Sequence, residues 1–296
     1  MIKVMLSGGL GNQMFQYAFA RTLSIKHNTT LVLDTSYLQS KLPFSKLATQ
    51  MKYELGVFDI EAKVETNYFS GKYLYPFAKA EYLLKKKLNK IRLDTITESD
   101  FSFQKELFNS SDNSFIRGNF QSEKYFKIIE DLLRKEFTFK PTLDIENLNW
   151  IQKMKEGNTV SIHVRRGDYV SLKQNVNKFA QIPIAYYQKA IQYLSERVPN
   201  TSYFIFSDDI QWVRKHLQLE DYPCYFIENN LSADKAYIDM QLMSNCKHNI
   251  IANSTFSWWS AWLNNNPDKI VIAPQQWFAD VSINSNDIIP DEWIKL

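Results

Sequence analysis

Residues 159–170 read TVSIHVRRGDYV, and the fold turns on how this stretch is read. Val160, Ile162 and Val164 alternate along a short β-rich run, the period of a strand. That strand delivers His163, Arg165, Arg166 and Asp168 to its C-terminal end, where Gly167 permits a tight turn. In open α/β sheets, ligands bind in the crevice beyond the carboxyl ends of the strands. Two guanidiniums and a carboxylate at such an end point to an anionic ligand, most simply a phosphate. A surface strand closing in a salt-bridged turn is the plain alternative, because charged turns are common and exposed ion pairs contribute little.

Outward from this strand, toward the C-terminus, strands and helices alternate. Pro183 opens a helix through IAYYQKAIQYLSERV, and Tyr203–Phe206 is a strand ending in Ser207, Asp208 and Asp209. A helix through WVRKHL precedes the strand CYFI at 224–227. Residues 233–246 then show helical periodicity, and NIIA at 249–252 ends in Asn253, Ser254 and Thr255. FSWWSAWLN reads as a helix and KIVIAP at 269–274 as a last strand. This rhythm predicts βαβ units and a doubly wound parallel sheet of the nucleotide-binding type.

Toward the N-terminus the signal is strong at first and then fades. IKVMLS at 2–7 reads as a buried strand, followed by Gly8, Gly9, Leu10, Gly11 and Asn12 and by a helix-like run, QMFQYAFARTLSIKH. Glycines between a strand and a helix let the backbone turn sharply and approach a ligand or a neighbouring domain, with Gly9 and Gly11 placed to do so. The motif has neither the Lys-Ser/Thr of a phosphate loop nor the dinucleotide spacing, and a simple strand-to-helix turn accounts for it equally well. TLVLD at 30–34 is a second strand. From 40 to 155 helical pieces are expected near 79–92, 122–135 and 145–155, with a further strand in FIRGNF at 115–120. The polar, Gly-containing link at 155–158 is read as the boundary between domains 1–155 and 156–296.

Length and composition fit this division. The 296 residues, 45% hydrophobic, suffice for two cores, and no apolar run approaches the eighteen or so residues of a membrane span. The N-terminus carries no secretory pattern, which points to a cytoplasmic enzyme. A net charge of +3 is too small to argue for nucleic acid. The one basic concentration, Lys79–Arg92, suits a solvated helix face or peripheral attraction to an acidic membrane. Cys224 and Cys246 match no zinc or disulfide pattern and read as two reduced thiols.

Three strand ends in the second half carry polar clusters: 163–168, 207–209 and 253–257. Ser254 and Thr255 stand where a helix begins, as capping hydroxyls do, and N–H groups at such a terminus attract anions. Arginines opposite that terminus would complete a diphosphate clamp. Asp208 and Asp209 suit either a helix cap or acceptance of a guanine amine and ring N–H. No Asp-X-Asp occurs, and His27, His163, His216 and His248 show no ligand spacing. Stabilisation of a leaving diphosphate by Arg165 and a helix terminus, without a metal, is therefore expected.

Together, SGGLGNQMFQYAFAR at 7–21, HVRRGDYV at 163–170, FSDD at 206–209 and NSTFSWWSAWL at 253–263 resemble the α-1,2-fucosyltransferases of glycosyltransferase family 11. The resemblance implies a GT-B architecture: an acceptor-side α/β half facing a donor-side half, with GDP-fucose in the cleft. It implies inverting, metal-independent transfer of L-fucose to the 2-hydroxyl of a terminal β-galactose on an oligosaccharide or lipid-linked glycan. By the same resemblance Arg165 contacts the β-phosphate, and His163 with Asp208 or Asp209 lies near the guanosine. Ser254, Thr255 and Phe256 meet the diphosphate, Gly9 and Gly11 join the donor contacts, and Asn12 faces the reaction centre. Asp168 is a candidate base by its place in the motif, with orientation of Arg165 or Arg166 the favoured role.

Two other readings compete with the fucosyltransferase. One is another nucleotide-sugar transferase of the same architecture, and the other a non-catalytic carbohydrate-binding protein. Trp258, Trp259, Trp262 and Trp277 would suit sugar stacking in all three, or simply the core.

Overall fold

The computed structural model describes residues 1–38, 52–66, 93–167, 179–219, 221–230, 232 and 234–296. The basic run at 79–92, its expected helix and Asp168 lie outside the described residues. The chain divides into two compact units, one of residues 1–140 with 286–288 and the other of 141–285 with 289–296.

In the first unit, β1 (Ile2–Met5) is followed by α1 (Leu10–Lys26) and β2 (Leu31–Asp34). Further along lie β3 (Lys63–Glu65), β4 (Asp94–Thr97), β5 (Ser114–Arg117) and α2 (Glu130–Glu136). All the strand pairs are parallel, in the order β3-β2-β1-β5-β4. β1 is central, with Ile2 and Val4 fully buried. α1 is buried on nearly every side, including Phe15, Tyr17 and Phe19, so its sequence shows little amphipathic contrast. The helix expected over 122–135 is instead two 3₁₀ turns, Glu123–Tyr125 and Lys127–Ile129, leading into α2. The strand expected over 115–120 ends at Arg117.

The second unit starts with α3 (Ile145–Lys155), whose N-cap Asp144 accepts from the Asn147 N–H. β6 (Asn158–Val164), α4 (Ile184–Ser195), β7 (Thr201–Ser207), α5 (Ile210–His216) and β8 (Cys224–Phe226) follow. α6 (Ala236–Ser244), β9 (His248–Ile250), α7 (Thr255–Leu263), β10 (Val271–Ala273) and β11 (Ile294–Lys295) complete the unit. The sheet runs β11-β10-β9-β6-β7-β8 and is parallel throughout, so the C-terminal ends of its strands share one edge. β6 sits centrally, registered along its whole length with β7 from Asn158↔Thr201 to Val164↔Ser207.

The two faces of the sheet at β6 and β7 enter two separate cores. Val160, Ile162 and Val164 pack with Tyr186, Tyr187, Ala190 and Leu194 of α4. On the other face Met154 of α3 joins Phe204 and Phe206 with Leu242 and Met243 of α6. Each such apolar side chain contributes about 1.5–3 kcal/mol by leaving water. Ser161 points into this second layer and is satisfied there by the Asn249 Nδ2 donor at 2.7 Å. Because α3 packs in this layer, the division of the chain falls at 140/141, ahead of α3, and differs from the link at 155–158 chosen from sequence.

Candidate functional site

The strand-end cluster of the second unit is built around Asp208. Arg165, just past β6, pairs its NH1 with Asp208 Oδ2 at 2.9 Å, while the Arg166 N–H donates to Asp208 Oδ1 at 2.8 Å. A Cβ at position 167 would stand 2.5 Å from Asp208 Oδ2. Gly167 is therefore required for space, and its φ lies outside the left-handed region. Arg166 pairs with Asp209 Oδ2 at 3.2 Å and lies over the Trp212 ring at 3.6 Å. Asp209 also caps α5 by accepting from the Trp212 N–H. The two guanidiniums thus divide their duties. Arg166 is held between a carboxylate and an indole, and Arg165 is tethered at one end while its side chain stays 32% exposed.

His163 and α7 form the neighbouring part. β9 lies beside β6, so the helix that follows β9 starts next to the end of β6. The His163 ring is 5.8 Å from that of Phe256, in the first turn of α7. His163 is 6% exposed and its Nδ1 is buried without a partner. Burial, with the Arg165 charge beside it, lowers its pKa to about 3, so the imidazole is neutral at physiological pH. Ser254 is the N-cap of α7, its Oγ accepting from the Phe256 N–H, and Thr255 is the first helical residue. Asn253 serves the scaffold, donating from Nδ2 to the carbonyls of Ala180 and Trp277. A neutral ring, a tethered guanidinium and a helix N-terminus gathered at one sheet edge can accept a polyanion.

The first unit holds its own constellation at the equivalent edge. Of the clustered glycines, Gly8 carries the conformational demand, with φ +72°, while Gly9 is the extended N-cap of α1 and Gly11 is buried in its first turn. Asn12 sits against Gly8, and its Oδ1 accepts from Gln121 Nε2 at 2.8 Å. Two buried glutamines that sequence reasoning passed over brace the loop. Gln13 donates to the carbonyls of Gly8 and Lys52 and accepts from the Glu54 N–H. Gln16 accepts from the Ser7 N–H and donates to Ser7 Oγ and the Gly118 carbonyl. Polar side chains in the first turns of an otherwise apolar helix were the available signal.

The four tryptophans considered for sugar stacking take no part in either constellation. Trp258 and Trp259 are fully buried, and Trp262 and Trp277 are 3% and 2% exposed, so all four belong to the core and offer no sugar platform. Among the described residues no three His, Cys, Asp or Glu side chains gather as metal ligands would. No described helix is long and apolar enough to cross a membrane.

Two α/β units in succession, each with an all-parallel sheet and polar clusters at strand ends, have the GT-B architecture. A solved structure of Arabidopsis thaliana FUT1, a mutant in complex with GDP, shares this fold. Its TM-score is 0.50 at 10% identity, covering 99% of this chain and 75% of that one. The chain belongs to Glycosyl transferase family 11, whose model matches residues 1–296. An α-1,2-colitosyltransferase of Escherichia coli is 35% identical over 98% of this chain and 97% of its own. A galactoside 2-α-L-fucosyltransferase of Caenorhabditis elegans is 29% identical over 100% of this chain and 79% of its own. The expectations of family and of GT-B architecture are met, and the non-catalytic reading falls away.

Proposed function

We propose that this glycosyltransferase moves a 6-deoxyhexose, L-fucose or its 3-deoxy relative colitose, from its GDP ester to the 2-hydroxyl of a terminal β-galactose. One observation carries the proposal. Arg165 stands just past the end of β6, tethered by Asp208, and His163 of the same strand faces Phe256 in the first turn of α7 across 5.8 Å. Transfer with inversion passes through an oxocarbenium-like state in which negative charge grows on the departing diphosphate. Fixed donors aimed at that charge are the largest contribution a protein can make. Arg165 and the Thr255 N–H at the opening of α7 supply such donors and stand in for a divalent cation. The colitosyl- and fucosyltransferase names of the relatives support the choice of sugar and linkage.

The test offers GDP-fucose and GDP-colitose in turn with a panel of β-galactosides in EDTA, reading product mass and linkage. An α-1,2-linked deoxyhexose made in EDTA is the expected product. Transfer only from UDP-sugars, or only after manganese is returned, would overturn the proposal.

A further inference from the structure

At the C-terminal edge of the first unit's sheet a second carboxylate does work that no motif announces. Glu98 follows β4 directly, and its carboxylate accepts from the N–H of Asn119 at 2.6 Å and of Phe120 at 3.0 Å. The loop it grips is forced into an uncommon shape. Phe120 has φ +51°, in the left-handed region that costs a non-glycine residue roughly 1–2 kcal/mol, and its ring is fully buried against Phe19. A Cβ at position 118 would stand 2.7 Å from both Glu98 Cβ and the Phe120 ring. The loop is tied at both ends to the glycine loop after β1. The Gly118 carbonyl accepts from Gln16 Nε2, and Gln121 Nε2 donates to Asn12 Oδ1. Backbone strain that persists because its surroundings over-determine it gathers at functional sites.

We propose that Glu98 is a positioning residue for transfer: through residues 118–121 it fixes the Asn12 carboxamide, which presents its Nδ2 donor over Gly8 toward the acceptor. Asn12 then serves as a hydrogen-bond donor to a sugar hydroxyl and leaves proton removal to another group. The inference rests on the assignment above of sugar transfer to this chain. It adds to that assignment a link between a carboxylate and the acceptor side of the reaction.

The link makes transfer sensitive to pH. Burial raises the Glu98 pKa to about 7, against the lowering effect of the two N–H donors, and Asp100 adds to the rise. The other charged or titratable groups about it are Arg117 on the adjacent strand, whose carbonyl accepts from the Glu98 N–H, and the Tyr125 hydroxyl. Protonation replaces an ionised acceptor of both N–H groups by a weaker neutral one, so the loop loosens as pH falls through 7.

The experiment compares full-length wild type, Glu98→Gln, Gln121→Leu and the double variant. It measures transfer from GDP-fucose and GDP-colitose to lactose across pH 5.5–9, amide exchange of residues 119 and 120, and GDP affinity. Wild type should lose kcat on the acid side with a midpoint near 7, and each single variant should lose at least 10-fold in kcat with GDP affinity within 2-fold. Glu98→Gln should also abolish the acid limb and lower the protection of the two amides below that of wild type at pH 9, while the double variant should be no worse than the poorer single. Glu98→Gln with wild-type kcat and acid limb would overturn the proposal, as would losses that multiply in the double variant. If Glu98→Gln fails to fold, Gln121→Leu at wild-type kcat overturns it alone. A wild type that transfers neither sugar refutes the assignment of function instead. Exchange of the two amides still decides the Glu98 link in that case.

Discussion

Asp208 was open to two readings, a base-recognising carboxylate or a structural one, and the geometry separates them through substitution. Asp208→Ala removes the 2.8 Å acceptor of the Arg166 N–H and the 2.9 Å partner of Arg165. A hydrogen bond to a charged acceptor contributes about 1.5–3 kcal/mol. The ion pair adds roughly 0–1 kcal/mol, discounted because both side chains are a quarter to a third exposed. The expected loss is about 2–3 kcal/mol, or roughly 4–10 °C in Tm for a unit of this size. Asp208→Asn keeps the Oδ1 acceptor and should lose no more than about 1 kcal/mol. In both variants Arg165 is freed from its tether, and GDP affinity should fall about 10-fold, since 1.4 kcal/mol is one decade. The preference for GDP over UDP should survive within about 2-fold if Asp208 acts only through Arg165 on the proposed diphosphate. Calorimetric titration with both nucleotides checks this. A preference that collapses toward unity, with inhibition by pyrophosphate unchanged, would return Asp208 to the guanine and refute the tethering argument.

Further outcomes follow from the same geometry. Gly8→Ala places a Cβ 2.4 Å from Asn12 Nδ2 at φ +72°, so thermal unfolding should register a loss of about 1–2 kcal/mol from backbone strain alone, with transfer reduced further. Gly167→Ala should copy the GDP-binding defect of Asp208→Ala, since its Cβ would displace the same carboxylate. His163 titrates near 3 folded and near 6.5 unfolded, so the unfolded chain binds the extra proton between those values. Its contribution to stability is complete above pH 6.5 and falls by about 1.4 kcal/mol per pH unit below it. His163→Phe should flatten that part of the stability–pH curve, and an unchanged curve would contradict a buried neutral imidazole.

How much of this was legible in the sequence differed between the two units. The central strands of the second are buried on both faces, so Val160–Val164, Tyr203–Phe206 and Asn249–Ala252 appear as compact apolar runs with polar ends. Edge strands of the first unit gave no such signal. Lys63–Glu65 is exposed throughout and Asp94–Thr97 nearly so, and neither shows alternation. At the candidate site, Arg165, His163 and Ser254 could be placed because strand ends and helix caps have local signatures. Their partners could not, because Asp208 reaches Arg165 across 43 positions of sequence and only the register of β6 on β7 brings the two together. Gln13, Gln16 and Glu98 escaped notice for a related reason. Each is a residue type normally found on the surface, and the full burial of Gln13 and Gln16 and the partial burial of Glu98 are properties of the fold.

The central claim is that one diphosphate lies between the Arg165 guanidinium and the amide end of α7. A crystal structure of the chain with GDP, grown in EDTA, tests it most directly. The β-phosphate should have oxygens at about 2.7–3.2 Å both from the guanidinium and from the Thr255 N–H. A diphosphate that touches one of these groups and leaves the other in water would contradict it.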